Sequence, residues 1–324
     1  MTKQAGGAGV ALALLSAATF GTSGSFAASL IKAGWTPGAA VTARVSTAAL
    51  VLTLPALLLL RGRAAQVLRS RRTLLVYGVA AVAGAQLCFF MAVEHLSVAV
   101  ALLLEYSGAL LVVGWMWLRH QQRPGRLTLA GAPVAVGGLA LVLELGGNST
   151  LDPVGVLWGL GAAVGLAVYF VVSAQTADAL PPLAMAWGGL TIGGLVLLAA
   201  AALGVLPWAA PRTDVTLLDT QMSWLIPVLG LSLVAAVVAY VAGIVAARML
   251  GPQVASFVGL TEVLFAVVFA WVLLGQSLGV VQLVGAALVV AGIALVRLDE
   301  LRPQRVASGR GAGVLRHEQS QVVA

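Results

Sequence analysis

Three ionisable side chains lie inside long apolar segments of the chain, where charged residues are unusual: Arg44, Glu105 and Glu262. An ionised group surrounded by hydrocarbon is expensive, so such residues usually face a cavity, an oppositely charged partner or a ligand. These side chains could therefore contact a charged substrate. A carboxylate at Glu262 could bind a substrate ammonium group or exchange it for a proton.

The depth of each residue in the membrane distinguishes the possible roles of these three side chains. With a helical rise of about 1.5 Å per residue, Arg44 and Glu105 lie about 9 Å and about 12 Å deep from the same face. They either form a structural ion pair or contact a charged substrate. Glu262 lies about 15 Å deep, close to the middle of a bilayer, and no basic residue occurs at its depth. Its alternative role is that of a protonated carboxyl bonded to a neighbouring polar group.

Further polar residues could complete a binding site around these charges. The first apolar segment carries a central polar run that includes Thr22, Ser23 and Ser25. Hydroxyl groups there could line a cavity, although small residues at a helix interface would show the same pattern. The other candidates, each of which could equally be a packing residue with a satisfied polar tip, are Gln86, Tyr169, Ser173, Tyr240 and Ser256.

The composition requires lipid as the main solvent of the chain. Hydrophobic residues make up 60% of the 324 residues and charged residues 9%, whereas soluble domains are about 25% charged. The net charge of +7 comes from basic residues at the ends of apolar runs, which indicates membrane topology rather than nucleic-acid binding. The single cysteine, Cys88, lies in an apolar run, and no metal-ligand spacing occurs. We expect no metal and no cofactor.

Ten apolar segments predict an all-α membrane protein with ten transmembrane helices. The segments are 10–31, 38–60, 73–94, 97–118, 126–145, 154–174, 182–205, 223–247, 252–274 and 278–297. The prediction divides the chain into a cytoplasmic start (1–9), a first five-helix unit (10–145), an outer loop (146–153), a second five-helix unit (154–297) and a disordered cytoplasmic tail (298–324).

The distribution of basic residues predicts that both termini are cytoplasmic. With the start inside, all but three of the 18 lysines and arginines fall on the cytoplasmic side. Lys32 and Arg212 lie outside, and Arg44 lies within a segment. Cytoplasmic loops of membrane proteins carry such an excess of Lys and Arg. The protein is therefore expected in the cell (inner) membrane, with the lipid bilayer as a partner.

The two five-helix units form an internal repeat. The third to fifth segments align with the eighth to tenth without a gap: Ala101 with Ala255, Trp117 with Trp271, and Gly138 with Gly292. Because five is odd, the copies must cross the membrane with opposite orientations. Inverted repeats are a recurrent basis of transporter folds, in which the halves alternate in exposing a central site.

These repeated blocks resemble the drug/metabolite transporter superfamily, specifically its ten-span EamA-type exporters. The resemblance rests on two pairs of sequence blocks: LSVAVALLLEYSGALLVVGWMWLRH with GAPVAVGGLALVL, and VASFVGLTEVLFAVVFAWVLLGQSL with GAALVVAGIALVRL. The segment AVALLLEYSGALLVV is similar to the fourth span of threonine/homoserine exporters. Gly108 stands where the family usually has a proline, and Gln276 stands at its usual acidic position.

The predicted function is therefore secondary transport of a small molecule, with export of amino acids or related metabolites by alternating access as the leading hypothesis. Efflux of drugs or lipophilic cations is the alternative. No Walker motif occurs, so coupling has to come from an ion gradient, with protons as one candidate, or from the substrate gradient. The histidines lie at segment ends or in the tail, which argues against an intramembrane enzyme. A monomer and a homodimer are both compatible with the sequence.

Overall fold

A computed structural model describes residues 2–96, 98–121, 124–142, 152–176, 180–217, 220–274 and 279–301. This part of the chain is predominantly helical. The elements of its first half are α1 (Thr2–Gly21), α2 (Ser23–Lys32), α3 (Pro37–Leu59), α4 (Ala64–Arg69), α5 (Arg71–Val76), a first π-helical segment (Tyr77–Gly84), α6 (Ala85–His95), α7 (Val98–Tyr106), α8 (Gly108–His120) and α9 (Arg126–Val142).

The second half begins and ends with long helices, with a two-stranded hairpin between them. Its elements are α10 (Pro153–Gln175), α11 (Pro182–Ala202), β1 (Val215–Leu217), β2 (Thr220–Met222), α12 (Leu225–Leu229), a second π-helical segment (Gly230–Val238), α13 (Ala239–Gly259), α14 (Thr261–Leu274) and α15 (Val280–Leu301). The two strands pair antiparallel, with Val215 opposite Met222.

Seven stretches in the described residues are long and apolar enough to cross a membrane. They are Gly7–Lys32, Pro37–Leu59, Arg71–Ala92, Ala101–Arg119, Pro153–Gln175, Pro182–Ala202 and Leu225–Gly259. Large leucines on their outer surfaces, such as Leu50 and Leu157, are more than two-thirds exposed, which suits side chains that face lipid. The protein is thus a multi-pass membrane protein.

The last of these stretches is interrupted inside α13. Gly251 has φ 78° and ψ 161°, a conformation that only glycine adopts readily, and Pro252 follows it. Pro252 lacks the N–H that would continue the helical ladder. The 35-residue stretch therefore consists of two helical pieces that meet at Gly251.

Local sequence signals set the starts of two long helices. Thr36 precedes Pro37, and its hydroxyl accepts a hydrogen bond from the Ala39 backbone at 3.4 Å. Asp152 precedes Pro153, and its carboxylate accepts one from the Val154 backbone at 2.9 Å. Such side chains satisfy backbone N–H groups that have no partner in the first helical turn, and proline suits the first helical position.

Close packing between α9 and α15 depends on glycine. A Cβ atom placed on Gly131 would lie 2.7 Å from the carbonyl oxygen of Gly292, and one on Gly138 would lie 2.7 Å from that of Gly285. The contact partners run in opposite order along the two helices, so the helices are antiparallel. Backbones can approach this closely only where no side chain intervenes.

A surface layer covers one end of the helix assembly. The Trp35 indole N–H donates to the carbonyl oxygen of Pro211 at 2.8 Å, and the Thr36 hydroxyl donates to that of Pro207 at 2.9 Å. The Trp35 ring lies 5.8 Å from the Trp224 ring. The turn between α2 and α3 is thereby fixed to the segment that contains the β1–β2 hairpin.

The structure departs from the predicted segments in several places. The hairpin was not expected in an all-α chain; Val215 and Leu217 are buried on alternate positions of β1, which stabilises a short strand. Residues 61–72, which lie between the predicted segments 38–60 and 73–94, contain α4 and the start of α5. Helix α1 begins at Thr2 rather than at residue 10, and α15 continues to Leu301. The predicted tail beyond that residue and most of the predicted loop 146–153 lie outside the described residues.

Candidate functional site

A cavity of about 780 Å³ lies between helices from both halves of the chain. Its lining comes from α1, α2, α3, α6 and α7 in the first half and from α10, α13 and α14 in the second, together with both π-helical segments. It extends from Ala13 and Ala246 to Ile31 and Pro37, near the turn between α2 and α3. The volume falls in the range of about 300–1,000 Å³ that is typical of small-molecule sites.

The three ionisable residues singled out from the sequence all line this cavity. Arg44 comes from α3, Glu105 from the last turn of α7 and Glu262 from the first turn of α14. The Arg44 side chain is 7% exposed, and both carboxyl side chains are partly buried. Residues that are far apart in the sequence thus meet in one cavity.

Both carboxyl groups lie beside interruptions in their helices. Helix α7 ends at Tyr106 and α8 begins at Gly108, while α13 ends at Gly259 and α14 begins at Thr261. The Ser107 hydroxyl donates to the carbonyl oxygen of Leu104 and the Thr261 hydroxyl to that of Val258, which helps to turn the chain at each interruption. Interrupted helices are the usual ion and substrate sites of transporters, because they free backbone groups.

Arg44 makes no direct ion pair with either carboxylate. Its Nη2 donates to the carbonyl oxygen of Ala235 in the second π-helical segment, and its Nε has no hydrogen-bond partner among the described residues. Its guanidinium carbon lies 5.5 Å from the centre of the Phe20 ring, a cation–π contact. The Asp152 carboxylate, outside the cavity, lies 2.9 Å from His95 Nδ1. The structural ion pair considered for Arg44 and Glu105 is therefore absent as a direct contact.

The charges of the cavity nonetheless influence one another. Arg44 interacts electrostatically with both Glu262 and Glu105. When all three groups are ionised, the two carboxylates outweigh the guanidinium, so the three side chains together carry a net negative charge. The Tyr106 hydroxyl approaches the Glu262 carboxyl as a hydrogen-bonding neighbour. Tyr106 was not among the residues predicted from the sequence, because an aromatic residue in an apolar segment is usually a packing residue; its place directly after Glu105 was the available signal.

Aromatic rings form much of the remaining wall. Phe20 and Tyr240 meet edge to face with ring centres 5.1 Å apart, and Tyr169 packs against Tyr240 at 5.7 Å. Phe89 and Phe90 also line the cavity. Such a wall favours ligands that carry an apolar or aromatic group beside their charges.

The smaller polar candidates divide between the cavity and the helix backbones. Ser23, Ser25, Gln86, Tyr169 and Tyr240 line the cavity. The buried Ser25 hydroxyl has no hydrogen-bond partner among the described residues, so it is available to a ligand.

Thr22, Ser173 and Ser256 do not line the cavity. The Thr22 hydroxyl donates to the carbonyl oxygen of Thr19 at 2.7 Å, and the Ser256 hydroxyl donates to that of Gln253 at 2.7 Å. The Thr22 hydroxyl, between α1 and α2, is therefore satisfied by the last turn of α1, and the Ser256 hydroxyl by the preceding turn of α13, as serine and threonine in or beside helices often are.

Hydrogen bonds from Ser16, in the cavity wall, and from Arg248 hold neighbouring helices together. The Ser16 hydroxyl, which lines the cavity, donates to the carbonyl oxygen of Ala239 at 2.8 Å. Further along α13, Arg248 donates to the carbonyl oxygens of Leu180 at 2.8 Å and of Ser173 at 3.2 Å. These contacts link α13 to α1, to the end of α10 and to the segment before α11. No group of three His, Cys, Asp or Glu side chains that could hold a metal ion occurs in the part of the chain that the structure describes.

Comparisons with known proteins give the family of the chain. The profile of the EamA-like transporter family matches residues 7–144 and again residues 153–298. The "Uncharacterized inner membrane transporter YicL" of Salmonella typhimurium (strain LT2) is 26% identical over 246 residues, which are 74% of this chain and 79% of that protein. A solved crystal structure with 20% sequence identity aligns with 90% of this chain and 96% of its own at a TM-score of 0.73, a likeness in fold. Since the two family matches together span most of the sequence, the chain belongs to the EamA-like transporter family of the drug/metabolite transporter superfamily.

Proposed function

We propose that this membrane transporter is a secondary carrier that exports amino acids or related small metabolites by alternating access. The observation that carries the proposal is the single cavity in which Arg44, Glu105 and Glu262 lie without a direct ion pair between them. A ligand with both a carboxylate and an ammonium group would complement such a cavity, since each of its charges would find an opposite one.

The roles of the three charged residues follow from their surroundings. Arg44 would bind the substrate carboxylate, because its Nε is left without a partner among the described residues and a guanidinium binds carboxylates in two-pronged geometry. Glu262, beside Tyr106, would bind the substrate ammonium group or exchange it for a proton. Glu105, which belongs to the first half of the chain, would supply a second negative charge for the ammonium group. Ser23, Ser25, Gln86, Tyr169 and Tyr240 would contact the rest of the substrate.

Alternating access would use ten spans that form two inverted five-helix repeats, residues 10–145 and 154–297. Three features support this arrangement. The π-helical segments Tyr77–Gly84 and Gly230–Val238 occupy nearly equivalent positions of the repeat, and so do the interruptions at Ser107 and Leu260. The antiparallel contact of α9 with α15 suits halves of opposite orientation. The backbone break at Gly251 would separate an eighth span from a ninth that includes α14.

The distribution of basic residues supports cytoplasmic termini. In that orientation the cavity would reach toward the outer surface at Ile31 and Pro37, and the contacts of Arg248 would lie on the cytoplasmic side. A transport cycle would then have to break the hydrogen bonds that join Arg248 to Leu180 and Ser173 when the site opens inward.

Efflux of drugs or lipophilic cations is the second candidate function. The aromatic wall around Phe20, Tyr169 and Tyr240 would contact a flat apolar cation, and Glu262 would supply its counter-charge. The two functions differ in their need for Arg44, which a cation would not use.

Counterflow in proteoliposomes tests the leading proposal. Purified protein would be reconstituted, loaded with a pool of amino acids and presented with labelled members of that pool. We expect saturable exchange in the wild type and in Asp214→Asn, since Asp214 is exposed and does not line the cavity. Exchange should be lost in Glu262→Gln, which keeps the shape of the side chain but removes its charge.

Each outcome distinguishes part of the proposal. Normal exchange by Glu262→Gln would contradict the role of Glu262. Failure of every amino acid, with folded protein and with efflux of a labelled lipophilic cation, would replace amino-acid export by the second candidate function.

A further inference from the structure

A second concave region, which shares no lining residue with the central cavity, lies where α3 ends and α5 begins. This α4 groove has a volume of about 910 Å³ and is lined by side chains of α3, α4, α5 and α11, among them Leu57, Leu60, Leu68, Leu74 and Trp187. Arg71 also lines it. The groove thus combines an apolar surface with a cation.

The apolar surface of the α4 groove has a buried base and exposed sides. Leu60 and Leu74 are less than a tenth exposed, whereas Leu57 is 53% and Leu68 is 63% exposed. The Trp187 indole N–H donates to the Thr53 hydroxyl at 3.0 Å, which fixes one side of the groove. An exposed apolar channel at the end of membrane helices suits a hydrocarbon chain better than water.

The segment around the groove is strongly basic and contains no acidic residue. Between residues 61 and 72 the exposed arginines are Arg61, Arg63, Arg69, Arg71 and Arg72. None of them forms an ion pair or side-chain hydrogen bond with the residues that the structure describes. Arginine without a protein partner, at the edge of a bilayer, is suited to bind phosphate, because its planar guanidinium matches phosphate geometry.

Helix α4 has the character of a helix that lies at a membrane surface. Its apolar residues Val67 and Leu68 line the groove, and basic residues stand at its two ends, Arg63 before it and Arg69 in its last turn. Such a helix places its apolar face at the level of the acyl chains and its charges among the headgroups.

We propose that the α4 groove is a binding site for one anionic phospholipid, with its phosphate held by the arginines at residues 61–72 and an acyl chain along the apolar base. Topology-determining charge alone would explain the arginines but not the groove that one of them lines. Phosphatidylcholine fits the apolar base equally well, but its net-neutral headgroup does not match a cluster of five arginines. The proposal does not depend on what the central cavity transports.

Thermal unfolding of the purified full-length protein in detergent, with added dioleoyl phosphatidylglycerol or dioleoyl phosphatidylcholine, tests the site. We expect phosphatidylglycerol to raise the apparent Tm of the wild type more than phosphatidylcholine does, with one tightly bound lipid in native mass spectrometry. The double variant Arg61→Gln, Arg71→Gln should weaken the apparent affinity about 30-fold, since each arginine near a membrane surface strengthens anionic binding about five-fold.

A matched double variant and an apolar one serve as controls. Arg119→Gln, Arg126→Gln removes the same charge from the ends of α8 and α9, which do not line the groove, and should keep the wild-type response. Leu68→Asn keeps all arginines and should weaken binding of phosphatidylglycerol without changing the Tm of the lipid-free protein, since Leu68 is largely exposed. Equal responses to the two lipids in the wild type, or equal losses in the two double variants, would overturn the proposal.

Discussion

Arg44 donates a hydrogen bond from Nη2 to the backbone carbonyl of Ala235, not to a carboxylate. The contact joins α3 to the second π-helical segment, and a carbonyl oxygen can accept it because it has two lone pairs. A guanidinium has five N–H donors, so this bond occupies only part of its capacity. Arg44 is thus positioned by the backbone and still has donors for a ligand.

The binding role of Arg44 predicts a difference between substrates. In Arg44→Gln, the half-saturating concentration for an exchanged amino acid should rise about 10- to 100-fold, because a hydrogen bond to a charged group contributes about 1.5–3 kcal/mol. The corresponding amino-acid amide, which has no carboxylate, should be affected much less. Counterflow with both compounds measures the ratio.

A conservative variant separates binding from support of the fold. Arg44→Lys keeps the charge but loses the planar fork, so it should restore part of the affinity for the acid. If the acid and the amide lose affinity equally in Arg44→Gln, Arg44 supports the structure of the cavity and does not bind the carboxylate.

The ionisable part of the site could be predicted from the sequence because charge in an apolar segment has few explanations. Arg44, Glu105 and Glu262 were each predicted to face a cavity, a partner or a ligand, and all three line one cavity. Glu262 was expected to have no basic residue at its depth, whereas Arg44 interacts with it electrostatically. Hydroxyl groups allow no such inference. Ser25 faces the cavity while the Thr22 hydroxyl bonds to the last turn of α1, and the sequence offers no signal to separate the two.

The helical segments were predicted from their apolar composition. Composition does not indicate where a helix changes its hydrogen-bonding pattern or is interrupted. Composition gave no sign of the π-helical segment Tyr77–Gly84, because its side chains are as apolar as those of a regular helix. The interruption at Ser107 depends on a local hydroxyl–backbone bond. By contrast, the break at Gly251 lies between the predicted segments 223–247 and 252–274, because glycine followed by proline is incompatible with an uninterrupted helix.

We expect substitution by alanine to have opposite effects at two adjacent glycines of α9. A Cβ atom on Gly138 would lie 2.6 Å from the backbone nitrogen of Val289, whereas one on Gly137 would meet nothing within 4 Å. Gly138→Ala should therefore separate α9 from α15 and destabilise the protein by about 1–3 kcal/mol. Gly137→Ala should be neutral or stabilise it by up to about 1 kcal/mol, because alanine favours the helix.

Apparent unfolding temperatures of the two alanine variants in the same detergent check this prediction. The expected order is Gly138→Ala below the wild type and Gly137→Ala at or above it. Equal temperatures for the two variants would mean that α9 and α15 do not pack through Gly138.

We expect the ionised Asp152 carboxylate to stabilise the start of α10 and this stabilisation to be lost in acid. Its carboxylate accepts hydrogen bonds from the Val154 backbone and from His95 Nδ1, each at 2.9 Å. The Val154 bond, and after it the His95 bond, lower the pKa of Asp152 below its ordinary value. Because the folded state favours the ionised carboxylate, the resulting stability is present above the ordinary Asp pKa of about 3.9 and is lost as the pH falls through the lowered value.

Unfolding temperatures of the wild type, Asp152→Asn and Asp152→Ala, measured from pH 7 to pH 3, test this linkage. Asparagine can still cap the helix, so Asp152→Asn should be less destabilised than Asp152→Ala at pH 7. The difference between the wild type and Asp152→Asn should shrink toward pH 3, where the carboxylate begins to take up its proton. His95→Asn should retain most of this pH dependence, because the larger influence on Asp152 is the backbone of Val154. A constant difference across the whole range would show that ionisation of Asp152 does not stabilise α10.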